Sequence, residues 1–90
     1  MLKLVLSRTA LRFVQTLNPR QYRQVVGTVF RLMQEPAPHD SQPLTGYPYR
    51  RVDIGEYRII YRVEGAVLNV FLIGKRNDDE IYRDMRRLRG

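Results

Sequence analysis

Apolar and polar positions alternate from the start of the chain. Leu2, Leu4 and Leu6 are spaced by Lys3 and Val5, a two-residue period that predicts a strand. Ser7 then offers an N-cap for a short helix in which Leu11, Val14 and Leu17 recur at helical spacing. Asn18-Pro19 joins a capping residue to a first-turn proline and starts a second helix. That helix gathers Tyr22, Val25, Val26, Val29, Phe30 and Met33 on one face, and Pro36 ends it. So little chain separates the two helices that they must form a hairpin. Residues 36–48 hold four of the five prolines together with Gly46, and a loop is expected there.

The second half reads as three strands, Tyr49–Ile54, Tyr57–Val63 and Ala66–Ile73, joined by turns at Gly55-Glu56 and Glu64-Gly65. Tyr57, Ile59, Tyr61 and Val63 share one face, expected to meet the helices. Arg58, Ile60 and Arg62 take the other. The nearly continuous apolar run of the third strand predicts cover on both of its faces. Asn77 or Asp78 is expected to cap a last helix, with Asp78, Asp79 and Glu80 at its start and Arg86, Arg87 and Arg89 at its end. The helix dipole favours that charge order. Ile81, Met85 and Leu88 would form its apolar stripe. The result is one α+β domain over residues 1–90, in the order β-α-α-β-β-β-α, with a mixed or antiparallel sheet.

Composition narrows the chemistry. Cysteine is absent and His39 is the only histidine, so disulfides, thiolate chemistry and a histidine-based zinc site are excluded within the chain. His39 sits among prolines and reads as a surface loop residue. The net charge is +7, from sixteen basic residues of which only Lys3 and Lys75 are lysines. Arginine makes forked contacts with phosphate and stacks on bases, so nucleic acid or an acidic protein is the expected partner. The apolar run Val67–Ile73 is broken by Asn69 and is too short to cross a membrane. Residues 1–7 are too short for a signal-peptide core, so a cytoplasmic location is expected, without membrane association.

Gly55-Glu56-Tyr57-Arg58-Ile59-Ile60-Tyr61, then Gly74-Lys75-Arg76-Asn77 and Glu80-Ile81-Tyr82, resembles the RelE/ParE toxin superfamily of type II toxin–antitoxin systems. Leu44-Thr45-Gly46 followed by Tyr49-Arg50, the short helical hairpin and the length agree, and the resemblance spans essentially the whole chain. It implies a microbial-RNase-like RelE fold, with the helical hairpin packed on a twisted, mainly antiparallel sheet. It also implies a cognate antitoxin, expected to be acidic. The RelE branch cuts mRNA in the ribosomal A site without a metal or a small-molecule cofactor. The ParE branch poisons DNA gyrase and lacks the ribonuclease residues, and a third possibility is a non-catalytic module that only binds an antitoxin.

Metal-free cleavage by 2′-hydroxyl attack needs a group to take or orient the 2′ proton, a group to protonate the leaving oxygen, and fixed positive charge. Arg58 matches the arginine of the family's Gly-x-Tyr-Arg motif and would clamp the scissile phosphate. Arg76, just ahead of the last helix, would stabilise phosphate charge, and otherwise would pair with Asp78 or Asp79. Tyr82 matches the catalytic tyrosine, at the edge of the apolar stripe with its hydroxyl free, to act as acid or base or to stack on a base. If Val52 and Ile54 face the core, then Tyr49, Arg51 and Asp53 face the site. Arg51 matches the first of two basic residues that RelE relatives present there, and Asp53 replaces the second. It would be either a carboxylate base or a partner of Arg51 or Arg58. Arg50, Lys75, Arg83, Arg86 and Arg87 complete the expected RNA contacts, with the ribosome and mRNA as targets.

Overall fold

Ser7 ends the first strand and begins the first helix, and its hydroxyl serves both. In the computed structural model, which describes residues 1–77 and 80–89, β1 (Lys3–Leu6) leads into α1 (Arg8–Gln15). Ser7 Oγ accepts the Ala10 amide at 3.0 Å and donates to the Phe71 carbonyl at 2.5 Å, fixing the helix start to the sheet. Asn18 repeats the device for α2 (Pro19–Gln34), its Oδ1 accepting the Gln21 amide at 2.9 Å with Pro19 in the first turn.

The sheet continues with β2 (Ser41–Pro43), β3 (Arg50–Ile54), β4 (Tyr57–Glu64) and β5 (Val67–Lys75), and α3 (Glu80–Arg89) comes last. The strand order is β1-β5-β4-β3-β2. β1 lies parallel to β5 and every other pairing is antiparallel. The sequence places no strand in residues 36–48, yet Ser41–Pro43 pairs with Arg50–Val52. Such a segment escapes a periodicity reading because it is three residues long and carries a proline, which only an edge strand tolerates.

The hairpin turns are tight. Gly55 at φ 58° joins β3 to β4, and Gly65 at φ 58° joins β4 to β5. Glu64 is still in the ladder opposite Val67, so the second turn is Gly65-Ala66, one residue beyond the expected Glu64-Gly65. A bulge between Ile60 and Tyr61 shifts the register of β4 on β5. Phe71 and Leu72 consequently join the same side of the sheet.

The hairpin α1/α2 covers one face. Ala10, Val14, Val25, Val29 and Leu32 meet Val52, Tyr57, Ile59, Tyr61, Leu68, Val70 and Ile73 there. Tyr61 is fully buried, and its hydroxyl donates to the Pro36 carbonyl at 2.6 Å, holding the end of α2. Four expected apolar-face positions turn outward: Phe30 is 57% exposed, Tyr22 45%, Leu11 43% and Val63 40%. Leu32 and Thr28 take the inner positions on α2, Thr28 because its hydroxyl donates back to the Gln24 carbonyl at 3.1 Å. On the opposite face, Met85 of α3 closes a smaller core with Leu44, Ile60 and Leu72, edged by Tyr47, Tyr49, Phe71 and Tyr82. Of the expected caps of α3, Asn77 sits exposed in the turn before the helix, while Asp78 lies outside the described residues, and the side chains of Ile81, Leu88 and Arg89 lie outside the described ones.

Candidate active site

The two-residue turn at Gly55-Glu56 fixes which side chains of β3 and β4 become neighbours. Counting back from it, Ile54 pairs with Tyr57 and Asp53 pairs with Arg58, side by side on the face that α3 partly covers. Arg58 Nε donates to Asp53 Oδ1 at 2.7 Å and Nη2 donates to Oδ2 at 3.2 Å, a forked ion pair. Arg58 Nη1 donates to the Tyr82 hydroxyl oxygen. The guanidinium carbon also stands 5.8 Å from the centre of the Tyr82 ring. Arg58 is largely enclosed, with 13% of its side chain exposed. The Tyr82 hydroxyl, expected to be free, is therefore held by Arg58.

A guanidinium has five N–H donors. Three of Arg58's are engaged by Asp53 and Tyr82, which leaves one on Nη1 and one on Nη2 for a phosphate oxygen. The hydrogen bonds from Arg58 hold the Asp53 carboxyl below its ordinary pKa. Partial burial works against this, and the charges of Arg58, Arg51 and Arg76 add to it. Asp53 in turn raises the pKa of Arg58, with a smaller contribution from Tyr82. Arg58, Arg51 and Arg76 thus act on one carboxylate at one place, and Tyr82 shares it through Arg58.

The remaining expected residues are dispersed. Arg51 is half-buried beside the cluster and its Nη2 donates to Gln42 Oε1 at 2.8 Å on β2. Arg50 lies apart, its Nε and Nη2 donating to the buried Ser41 Oγ at 3.2 and 2.9 Å, where it ties β2 to β3. Lys75 sits exposed at the end of β5 opposite Tyr57, adjoining exposed Arg76. Arg83, Arg86 and Arg87 are exposed on α3. Asp78 and Asp79, the alternative partners for Arg76, lie outside the described residues. No cluster among the described residues has the donors to hold a metal ion, and no described helix is long and apolar enough to cross a membrane.

The sequence profile of the ParE toxin of type II toxin–antitoxin systems, parDE, matches residues 4–80. No curated protein matches the chain. Among solved structures, the isolated RelE toxin of E. coli superimposes with a TM-score of 0.75 at 21% identity, over 97% of each chain. The archaeal RelE–RelB complex from Pyrococcus horikoshii OT3 gives 0.73 at 24% identity, over 83% of this chain and 94% of that one. The RelBE2 toxin–antitoxin complex of Mycobacterium tuberculosis gives 0.73 at 25% identity, over 83% and 98%. These likenesses establish the RelE architecture for the sheet and helical hairpin described above.

Proposed function

The chain belongs to the ParE toxin family of type II toxin–antitoxin systems, and from the arrangement of its own site residues we propose that it is a ribosome-dependent endoribonuclease that cleaves mRNA by 2′-hydroxyl attack. One observation carries the reading: a single guanidinium, Arg58, joins a phenol and a carboxylate on a sheet face where two further arginines act. A site that only docks onto a protein has no need of a phenol and a carboxylate held on one cation.

In the proposed reaction the 2′-oxygen bonds to phosphorus and the bond from phosphorus to the 5′-oxygen breaks. Asp53, ionised at neutral pH, receives the 2′ proton. Tyr82 gives its phenolic proton to the departing 5′-oxygen, and both groups reset by exchange with water. Arg58, through its two uncommitted N–H groups, together with Arg51 and Arg76, offsets the charge that gathers on the phosphorane. The products are a 2′,3′-cyclic phosphate and a 5′-hydroxyl, and the residues need no metal. An antitoxin partner is supported by the similar toxins solved with RelB. The +7 charge suits an acidic segment of such a partner.

Toe-printing on purified ribosomes tests this. Cleavage is expected within codons and only when ribosomes are present, and Tyr82→Phe or Arg58→Ala is expected to slow it about 100-fold or more. Parent-like cleavage by both variants would remove the assignment. The ParE profile match favours a second reading, a gyrase poison acting by binding alone. Its signature is gyrase-linked DNA breaks in cells whose translation is at first intact.

A further inference from the structure

A cavity opens on the same sheet face, at the end remote from Asp53. It encloses about 180 Å³ between Val5, Ser7, Arg62, Glu64, Asn69 and Phe71, with Tyr49 at its edge. The registers explain its floor. Arg62 pairs with Asn69 and Asn69 pairs with Val5, so one residue from each of β4, β5 and β1 lies in a row across the sheet. Its wall is aromatic: Tyr49 and Phe71 stack with centres 4.8 Å apart and planes 8° from parallel, and the Arg62 guanidinium lies 5.3 Å from the Tyr49 ring centre. The bulge that turns Phe71 to this side builds the wall.

Glu64 is held at the rim. Its Oε1 accepts Arg62 Nε at 2.8 Å and Asn69 Nδ2 at 3.1 Å. A carboxylate has about four acceptor sites, two on each oxygen, so these bonds fill Oε1 and leave the two on Oε2. The cavity therefore combines a flat aromatic surface, a stacked cation and an oriented carboxylate with spare acceptors, beside an amide. Stacking surfaces of this kind hold bases whatever their identity, and the polar edge then selects among them.

We propose that this cavity binds one unpaired RNA nucleobase, and that it prefers guanine. Guanine alone presents two adjacent N–H donors, N1–H and the exocyclic amine, which can converge on the one open carboxylate oxygen, Oε2. Adenine and cytosine set a ring lone pair beside their amine, and uracil offers one donor flanked by two acceptors. Asn69 supplies a further acceptor through its Oδ1. The inference rests on the RNA-directed reading above and extends it to a base-reading element. Arg58 and Arg62 are four residues apart on β4, roughly 13 Å at about 3.3 Å per residue, so the two sites do not share a nucleotide.

Binding is measured on the intact purified chain with GMP, AMP, CMP and UMP, following backbone amide resonances. Expected are shifts at Val5, Glu64, Asn69 and Phe71, with GMP binding about tenfold tighter than AMP. Glu64→Gln should abolish the preference while weak stacking remains, and Phe71→Leu should weaken all four nucleotides. Shifts confined to the surroundings of Arg58, or a preference unchanged in Glu64→Gln, would overturn the proposal. These readouts do not need cleavage, so they stand or fall separately from the nuclease assignment. On ribosomes, a changed codon preference in Glu64→Gln identifies the base as one of mRNA. Weaker ribosome association with unchanged preference identifies it as one of ribosomal RNA, and a variant identical to the parent in both respects would count against any base-reading role.

Discussion

Arg58 has an acid along one edge and a phenol at its tip, so the charge of Asp53 governs the whole cluster. The carboxyl titrates lower in the folded chain than in the unfolded one. Its contribution to stability is therefore complete above the ordinary carboxylate pKa, near 4, and is lost as pH falls through that value toward the lower folded one. Asp53→Asn should cost about 1 kcal/mol at pH 7, and the gap between parent and variant should narrow as pH falls below about 4 in thermal melts. If Asp53 receives the 2′ proton, the same variant should cleave at least tenfold more slowly at pH 7 on ribosomes. Arg58, Asp53 and Tyr82 were legible as candidates from motif order and strand alternation, and the two-residue turn placed Asp53 opposite Arg58. The grip of Arg58 on the phenol was not legible, because it depends on where α3 crosses the sheet. The bond from Arg50 to Ser41 was hidden for a related reason: Ser41 belongs to a strand that the proline-rich composition conceals.

Caps and turns made most of the elements readable, and the same features expose the fold to substitution. Ser7→Ala removes both the cap on α1 and the bond to the Phe71 carbonyl, and should cost about 1–2 kcal/mol. For a domain of this size that lowers the melting temperature by roughly 4–8 °C per kcal/mol, measurable by circular dichroism. Gly55→Ala should cost as much or more, since φ is 58° and an added Cβ would stand 3.1 Å from the Gln24 side-chain amide. Gly65→Ala meets nothing within 4 Å, so its cost should come from the backbone alone and be the smaller of the two. The bulge at Ile60/Tyr61 and the outward turn of Phe30 had no sequence signal. Strict alternation and helical spacing assume ideal geometry, and tertiary packing chose Leu32 and Thr28 for the inner face of α2 instead.

At the scale of the molecule, charge and topology set how the chain meets its targets. On the proposed ribosome-directed reading, a chain of net charge +7 should bind ribosomes with an affinity that falls steeply between 50 and 200 mM salt, a slope measurable by filter binding and reduced in Arg86→Gln and Arg87→Gln. Association that ignores salt would mean that contacts other than phosphate dominate. The α+β class and the antiparallel core of the sheet were readable from short turns in the sequence, whereas the parallel seat of β1 beside β5 needed the structure. That seat has a consequence for synthesis. Residues 3–6 emerge first, but their berth, 67–70, is translated some sixty codons later, roughly 3–12 seconds at about 5–20 residues per second. Throughout that delay the first strand waits without its neighbour, and the face that carries Arg58 and Asp53 cannot be completed.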